Sequence, residues 1–229
     1  MPTSSKRQDK PAPASGAQKP RARGVGRPPS GTREAIVAAA VEEFALEGFG
    51  GARIERISKR ASTSDRMLYY HFDSKESLFQ AALEKVYGDM IAAESRINLE
   101  QLDPREGLRR LIAFIWRYFQ ENPSFISLVN AENMYGARHM LKSTRIQQSA
   151  IPQLRMVEDL LTRGVAGGNF RRDVTVVELH LTIVSLCYYY LSNAATMSHF
   201  LGYDMKQSDA RDAWLTHVTR VVMDFLMLR

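Results

Sequence analysis

A run of seven residues, 66–72, concentrates side chains that donate hydrogen bonds or present aromatic rings. If the run is helical, Leu68 and Phe72 lie about 40° apart and anchor one face, because each residue turns the helix by about 100°. The opposite side and its flanks then carry a polar and aromatic set: Arg66, Met67, Tyr69, Tyr70 and His71. Such side chains contact base edges and phosphates in the grooves of DNA. The chemistry predicted here is recognition of a nucleic acid.

Two short helices are predicted upstream of this run. The first begins at the capping residue Thr32, ends at Gly48, and repeats its apolar residues every four positions at Ile36, Ala40 and Phe44. The second has one apolar face, formed by Ile54, Ile57 and Ala61. A polar turn at residues 62–64 separates it from a third helix at 65–72. Three short helices with a tight turn before the third form a layout that presents the third helix to the major groove.

The rest of the chain is predicted to be helical. Ser74 or Asp73 caps a fourth helix with an apolar inward face, formed by Leu78, Phe79, Leu83 and Val86. Further helices are expected to start at residues 103–104, 122–123 and 151–152, each at a proline, and the third of these ends at Gly164, Gly167 and Gly168. The last two are expected over 174–200 and 208–228. Since no alternating strand pattern or internal repeat is found, the fold class is all-α.

This pattern divides the chain into three parts. Residues 1–30 form a basic arm, residues 31–75 a helix-turn-helix DNA-binding domain, and residues 76–229 a larger helical domain. Residues 1–33 carry a net charge of +7, residues 34–75 carry −1, and residues 76–229 carry zero. A positive, proline-rich arm on an otherwise nearly neutral chain is suited to bind a polyanion, either DNA or an anionic membrane surface. Alternatively, the arm is a solubilising tail.

Composition argues against several other classes. The longest apolar stretch, 181–191, is too short for a membrane span, and no apolar run follows the basic start as a signal peptide requires. The one cysteine, Cys187, cannot form an intrachain disulfide, and on an apolar helix it is expected to be a buried thiol rather than a redox switch. There is no Gly-x-Ser-x-Gly elbow, phosphate-binding glycine loop or pair of histidines at metal spacing. We expect no enzyme activity, cofactor, metal or membrane partner.

The segment at 61–79, ASTSDRMLYYHFDSKESLF, resembles the recognition-helix signature of the TetR (TetR/AcrR) family of bacterial regulators. Residues 36–49 and 54–57 resemble that family's first two helices. The resemblance implies phosphate contacts from Tyr69, His71 and Lys75. It implies base-facing positions for Arg66, Met67 and Tyr70, and Ser64 completes the predicted set at the start of the third helix.

The sequence departs from the family pattern at three positions. Ser62 stands where a turn glycine is common, which costs about 1 kcal/mol if the backbone there has a positive φ. Arg66 replaces a usually small residue and is able to reach a guanine with two hydrogen bonds. The usual threonine at the start of the second helix is absent, and Arg53 is expected to supply its phosphate contact.

The arm supports two interpretations. Residues 23–28, Arg-Gly-Val-Gly-Arg-Pro, are a loose version of a hook that inserts arginine, here Arg23 and Arg27, into AT-rich minor grooves. Alternatively, the arm is a cationic linker that raises nonspecific, salt-dependent affinity.

The resemblance also implies a homodimer joined by the last long helices. Apolar residues occupy nearly every face over 176–190, and together with Leu154, Val157, Leu161 and Val165 they are expected to build a two-fold interface. Candidate contacts for an unknown small-molecule effector are Phe114, Tyr118, Asn130, Asn133, Met134 and His139, with Asn133 and His139 as orienting groups. Residues 131–138 also resemble a RutR-like branch of the family.

The function expected from these patterns is repression of transcription in the cytoplasm, at the nucleoid. A small-molecule ligand would release the dimer from a near-palindromic double-stranded DNA operator. The alternative is a ligand-independent architectural DNA-binding protein that uses the basic arm.

Overall fold

The computed structural model describes residues 31–227, and for residues 149–153 it describes the backbone alone. This part of the chain forms nine α-helices and one 3-10 turn (Met140–Lys142), with a single bridge between Phe170 and Met227 as its one trace of strand pairing. The helices are α1 (Arg33–Gly51), α2 (Ile54–Arg60), α3 (Asp65–His71), α4 (Lys75–Glu94), α5 (Pro104–Glu121), α6 (Pro123–Met134), α7 (Thr144–Ala166), α8 (Val176–Leu201) and α9 (Ser208–Leu226). The predicted all-α class is confirmed.

Helix α1 begins as its sequence predicts. The Thr32 hydroxyl accepts a hydrogen bond from the Ala35 amide at 3.2 Å, and the apolar residues spaced four apart are fully buried. The predicted stop at Gly48 is a kink instead, because φ at Gly48 is +66° and the chain then resumes helical geometry up to Gly51. The kink directs Phe49 into the core beside α4.

The predicted start of a helix at Pro152 is wrong. Helix α7 begins at Thr144, where the Ser143 hydroxyl accepts a hydrogen bond from the Ile146 amide at 3.2 Å. The same hydroxyl donates to Glu84 on α4 at 2.7 Å, so the cap also fixes α7 against its neighbour. A proline inside a helix costs about 3 kcal/mol, and a serine cap returns about 1 kcal/mol of this. The packing of α7 on α4, α5 and α8 therefore has to offset the rest.

The three N-terminal helices pack directly on the larger helical part. Helix α1 lies against both α4 and α6. The Phe44 ring meets the Phe79 ring of α4 edge-on, with centroids 4.8 Å apart, and Phe49 lies 5.1 Å from Phe79. Helix α4 packs on α1 and also on α6 and α7. A movement of α4 would therefore displace the N-terminal helices as well. The predicted domain boundary at residue 75, the first residue of α4, stays a prediction.

The last two helices complete the larger part by packing on α5 and on each other. The Trp214 ring of α9 stacks on Tyr190 of α8 at 4.9 Å, and its indole N–H donates to the Leu186 carbonyl at 3.1 Å. None of the helices in residues 31–227 is long and apolar enough to cross a membrane.

Candidate nucleic-acid interface

The turn between α2 and α3 is held by polar contacts. The Thr63 amide donates to the Ser58 carbonyl at 2.9 Å, and the Ser58 hydroxyl donates to the Asp65 carboxylate at the start of α3. Ser62 takes the left-handed conformation, with φ +55°, at the position where the family commonly has glycine. The turn therefore has the positive φ that a glycine would adopt easily, and the Ser62 side chain makes this conformation strained.

A buried acid joins α1 to α2. Glu43 is 1% exposed, and it accepts a hydrogen bond from the Arg53 amide at 3.4 Å. The guanidinium groups of Arg56 and Arg60 approach it at 3.6 and 3.5 Å. Both arginines also pair with exposed acids of α1, Arg56 with Glu47 and Arg60 with a second carboxylate. Glu43 lies on the apolar face of α1, so its position in the repeat was the signal that sequence reasoning missed.

Helix α3 presents the face that its sequence predicts. Leu68 and Phe72 are buried in the core. The Ser64 hydroxyl caps the helix by accepting a hydrogen bond from the Met67 amide at 3.2 Å. The outward side chains are exposed, Tyr70 most of all at 79%: Arg66, Met67, Tyr69 and Tyr70. His71 is half-buried with its ring 5.4 Å from that of Tyr70.

Five cations around α3 have no carboxylate within 4.0 Å among residues 31–227: Arg33, Arg53, Lys59, Arg66 and Lys75. They contrast with Arg56 and Arg60, whose charges are neutralised by α1. Cations without an acidic partner are free to neutralise phosphates. The α3 face and its surroundings thus combine exposed donors with unpaired positive charge.

Lys75 is the first residue of α4, and its ammonium lies 5.0 Å from the centre of the Phe49 ring. Ser74 before it and Ser77 after it cap each other reciprocally, each hydroxyl accepting from the other residue's amide at 3.1–3.2 Å. Ser74 is therefore the cap, not Asp73. A capped helix N-terminus beside a lysine favours an anion, and this supports the phosphate role assigned to Lys75. Arg33, which the sequence reasoning missed, stacks over Phe72 at 4.9 Å.

The two parts of the chain match two models of one family. Residues 36–82 match the model for bacterial regulatory proteins of the TetR family, and residues 104–222 match the model for the tetracyclin repressor-like C-terminal domain. Together these matches span more than half of the chain. The chain belongs to the TetR family. Members of this family are transcriptional regulators with a helix-turn-helix domain, not enzymes.

Individual TetR-family relatives agree with this assignment. The chain is 39% identical over 192 residues to the transcriptional repressor NicS of Pseudomonas putida, and the aligned region covers 84% of the chain and 91% of NicS. It is 31% identical over 108 residues to the regulator RutR of Escherichia coli, 47% of the chain and 50% of RutR. The fold matches that of the regulator FadR from Bacillus subtilis, solved with stearoyl-CoA, at a TM-score of 0.63 and 17% identity over 85% of the chain and 99% of FadR.

The predicted effector contacts fall into two groups in the TetR-family fold. Phe114 and Tyr118 are on α5 and Asn130 is on α6; Tyr118 is buried, and the other two are half-buried. The Phe114 and Tyr118 rings are 5.9 Å apart, and Asn130 accepts a hydrogen bond from the Tyr188 hydroxyl at 2.6 Å and donates to Ser192 at 2.9 Å. Burial, with a smaller contribution from Asp89, raises the pKa of Tyr118 to about 12.

The other three predicted contacts lie at or beyond the end of α6. Asn133 and Met134 are exposed, Met134 at 87%, so the described residues do not enclose them, and their contact with an effector stays a prediction. His139 is buried, but its Nδ1 is 2.6 Å from Glu132, and Phe49 and Phe79 pack around the ring at 5.1 Å. His139 is thus a link between the end of α6 and the N-terminal helices.

Glu132 is the residue of this region that the sequence reasoning missed. It is completely buried, and one carboxylate oxygen accepts hydrogen bonds from the amides of His139 at 2.7 Å and Met140 at 2.9 Å. With the imidazole on its other oxygen, the carboxylate closes the turn after α6. We call Glu132 and His139 the α6 latch.

Three other predictions meet the structure as follows. Val157 and Leu161 are buried in the chain's own core, so their assignment to a dimer interface is wrong. Cys187 is buried as expected, and burial raises the pKa of its thiol to about 12. The arm residues Arg23 and Arg27 lie outside the residues that the structure describes.

Proposed function

We propose that this TetR-family protein is a dimeric repressor that binds a near-palindromic operator in the cytoplasm, at the nucleoid, and releases it when a small molecule binds. The observation that carries the proposal is the exposed face of α3, with Arg66, Met67 and Tyr70 outward. Tyr69, His71 and Lys75 contact the phosphates on either side, and Ser64 and Arg53 add backbone contacts at the start of α3 and α2.

Dimerisation is supported by the outer face of α8. Val177, Leu181 and Tyr189 are each 56% exposed although they are large and apolar. At about 100° per residue, Val177 and Leu181 lie about 40° apart, and Tyr189 lies within about 120° of Val177 on the same broad side of the helix. A second copy of the chain is the occupant that a symmetric four-helix contact requires. Such a dimer places two α3 helices in successive major grooves, about 34 Å apart.

Effector release is supported by the position of α6. Asn130 bonds to Tyr188 and Ser192 of α8 and lies two residues from Glu132. The latch of Glu132 with His139 packs on Phe49. A ligand that contacts Phe114, Tyr118 and Asn130 would move α6 and the N-terminal helices together. The ligand lowers operator affinity because it binds more tightly to the conformation that does not bind DNA. This difference in binding free energy is typically about 1–3 kcal/mol.

The second candidate function is architectural binding without an effector. The charge of +7 in residues 1–33 favours it, because such an arm neutralises several phosphates without reading sequence. In that case Arg23 and Arg27 enter AT-rich minor grooves or track the backbone.

Selection of binding sites from a random duplex DNA pool tests the proposal. The full chain and a version lacking residues 1–30 are compared. We expect both to enrich a palindrome, and an AT preference lost on truncation would assign the arm to the minor groove. Enrichment of AT-rich DNA alone would overturn the repressor proposal in favour of the architectural one.

A further inference from the structure

An open groove lies between the end of α4 and helix α7, at the opposite end of α4 from the proposed DNA contacts. Its volume is about 880 Å³. The connection from α4 to α5, residues 95–100, forms one wall, and residues of α7 form the other. None of the predicted effector contacts lines it, so the groove is a separate feature of the larger helical part.

One arginine of the groove has a structural role. The Arg163 guanidinium donates to the carbonyls of Leu102 at 2.7 Å and Leu99 at 3.1 Å, and it pairs with Asp159 at 2.8 Å. These bonds fix the α4–α5 connection to α7. Arg163 therefore holds the two walls of the groove together. Its ion pair also neutralises the charge of Asp159.

Two further arginines face the groove with no such partner. Arg96 stands on the connection and Arg155 on α7, both exposed, and neither has a carboxylate within 4.0 Å among the described side chains. Glu100 is the remaining acid of the lining, so the arginines outnumber the acids by one. Unpaired guanidinium groups on opposite walls suit a carboxylate, sulfonate or phosphate between them.

The groove also has an apolar surface. Ile97 and Met156 are half-buried and line it from the two walls, and Leu99 is buried beneath. A fully charged ligand would leave this surface in water. The combination of Arg96 and Arg155 with Ile97 and Met156 suits a molecule that has an acidic group and an apolar ring or chain.

We propose that this groove binds a small amphipathic anion, with its acidic group between Arg96 and Arg155 and its apolar part on Ile97 and Met156. Helix α4 leads from the groove to Lys75 and is about 30 Å long for its 20 residues. An anion that draws Arg96 toward Arg155 therefore acts on the helix that begins at the DNA-binding face. This regulatory consequence rests on the proposed function, whereas the binding site does not.

The test uses two fluorescent probes that differ mainly in charge. The anionic probe is 8-anilinonaphthalene-1-sulfonate, and the neutral one is N-phenyl-1-naphthylamine, which lacks the sulfonate. Each is titrated into the full chain, into the R96Q/R155Q variant, and into a matched control, R109Q/R117Q, which removes two exposed arginines of α5. All four positions are on the surface, so both variants are expected to fold.

We expect R96Q/R155Q to weaken binding of the sulfonate by at least about tenfold, because two charge-assisted hydrogen bonds are lost. The neutral probe and the control variant should bind as the unmodified chain does. Equal sulfonate affinity in all three proteins would overturn the site, as would equal loss for both probes. Operator affinity is measured in parallel without probe, so failure of the groove and failure of the DNA-binding proposal are separate results.

Discussion

Single residues determine how α3 is presented. Leu68 and Phe72 anchor the helix while Arg66 and Tyr70 point outward, and this division was predictable because helical geometry fixes it from the sequence alone. The buried partners were less predictable. Glu43 bonds to residues of the next helix and Glu132 to the turn after its own helix, 7 to 17 positions along the chain, and these contacts form only when the elements pack.

Arg66 and Lys75 are expected to contribute differently to operator binding. Arg66→Ala should cost about 1–3 kcal/mol at each half-site and relax the preference at one base pair. Lys75→Gln should weaken binding to all sequences alike and reduce the slope of log affinity against log salt by about 1 per half-site. Fluorescence anisotropy over a salt series measures both effects, with Arg109→Gln as a control far from α3. Identical behaviour of the two variants would contradict the assignment of base and phosphate contacts.

Ser62 carries backbone strain that glycine would remove. Ser62→Gly should raise the free energy of unfolding by up to about 1 kcal/mol, since φ is +55° there. Ser95→Gly is the matched control, because Ser95 is also exposed but has φ −63°. The control should lower stability by about 0.5–1 kcal/mol. Urea denaturation measures both, and a loss of stability in Ser62→Gly would show that the greater chain entropy of glycine in the unfolded state outweighs the strain.

At the scale of elements, the helix starts that carry a capping side chain and no competing signal were predictable. Thr32, Ser74 and Asp103 cap α1, α4 and α5 through their own side chains, as their sequence positions predict. The start of α7 was missed because Ser143 competes with the proline signal at 152, and the kink at Gly48 was interpreted as an end. Both errors arise where tertiary packing selects between two local signals.

The α6 latch should contribute more to stability than its exposed neighbour. Glu132→Ala leaves the amides of His139 and Met140 and the imidazole without their acceptor in a buried site, which should cost at least about 3 kcal/mol. Asn133→Ala, one residue along but exposed, should change stability by less than about 0.5 kcal/mol. If Glu132→Ala aggregates, Glu132→Gln provides the comparison. Thermal denaturation that does not separate Glu132→Gln from Asn133→Ala would contradict a structural role for the latch.

The contact between α7 and the segment after it depends on Gly164. A Cβ atom there would lie 1.9 Å from the Phe170 ring, so Gly164→Ala should destabilise the protein by about 1–3 kcal/mol or more. Gly88→Ala is the control inside α4, where an added Cβ meets nothing within 4 Å, and it should stabilise the protein by about 0.5–1 kcal/mol. Opposite signs in chemical denaturation are the expected outcome. A stabilised Gly164→Ala would show that Phe170 is free to move.

At the scale of the whole molecule, the family and the helical fold followed from one motif and the helical periodicity. The interface between two copies of the chain could not be predicted from the same patterns. Val157 and Leu161 have the apolar spacing of an interface, yet the fold turns them inward, whereas Val177, Leu181 and Tyr189 remain exposed on α8. Periodicity shows that a face is apolar but not whether it packs within the chain or on a second copy.

The central claim is that two copies of the chain place two α3 helices in successive major grooves of one operator. Hydroxyl-radical and base-methylation footprinting on the selected palindrome tests this most directly. We expect two protected major-groove windows on one face of the duplex, about one helical turn apart, with both lost in a variant carrying Arg66→Ala and Tyr70→Ala. A single protected window, or uniform protection that follows the arm rather than α3, would contradict the account.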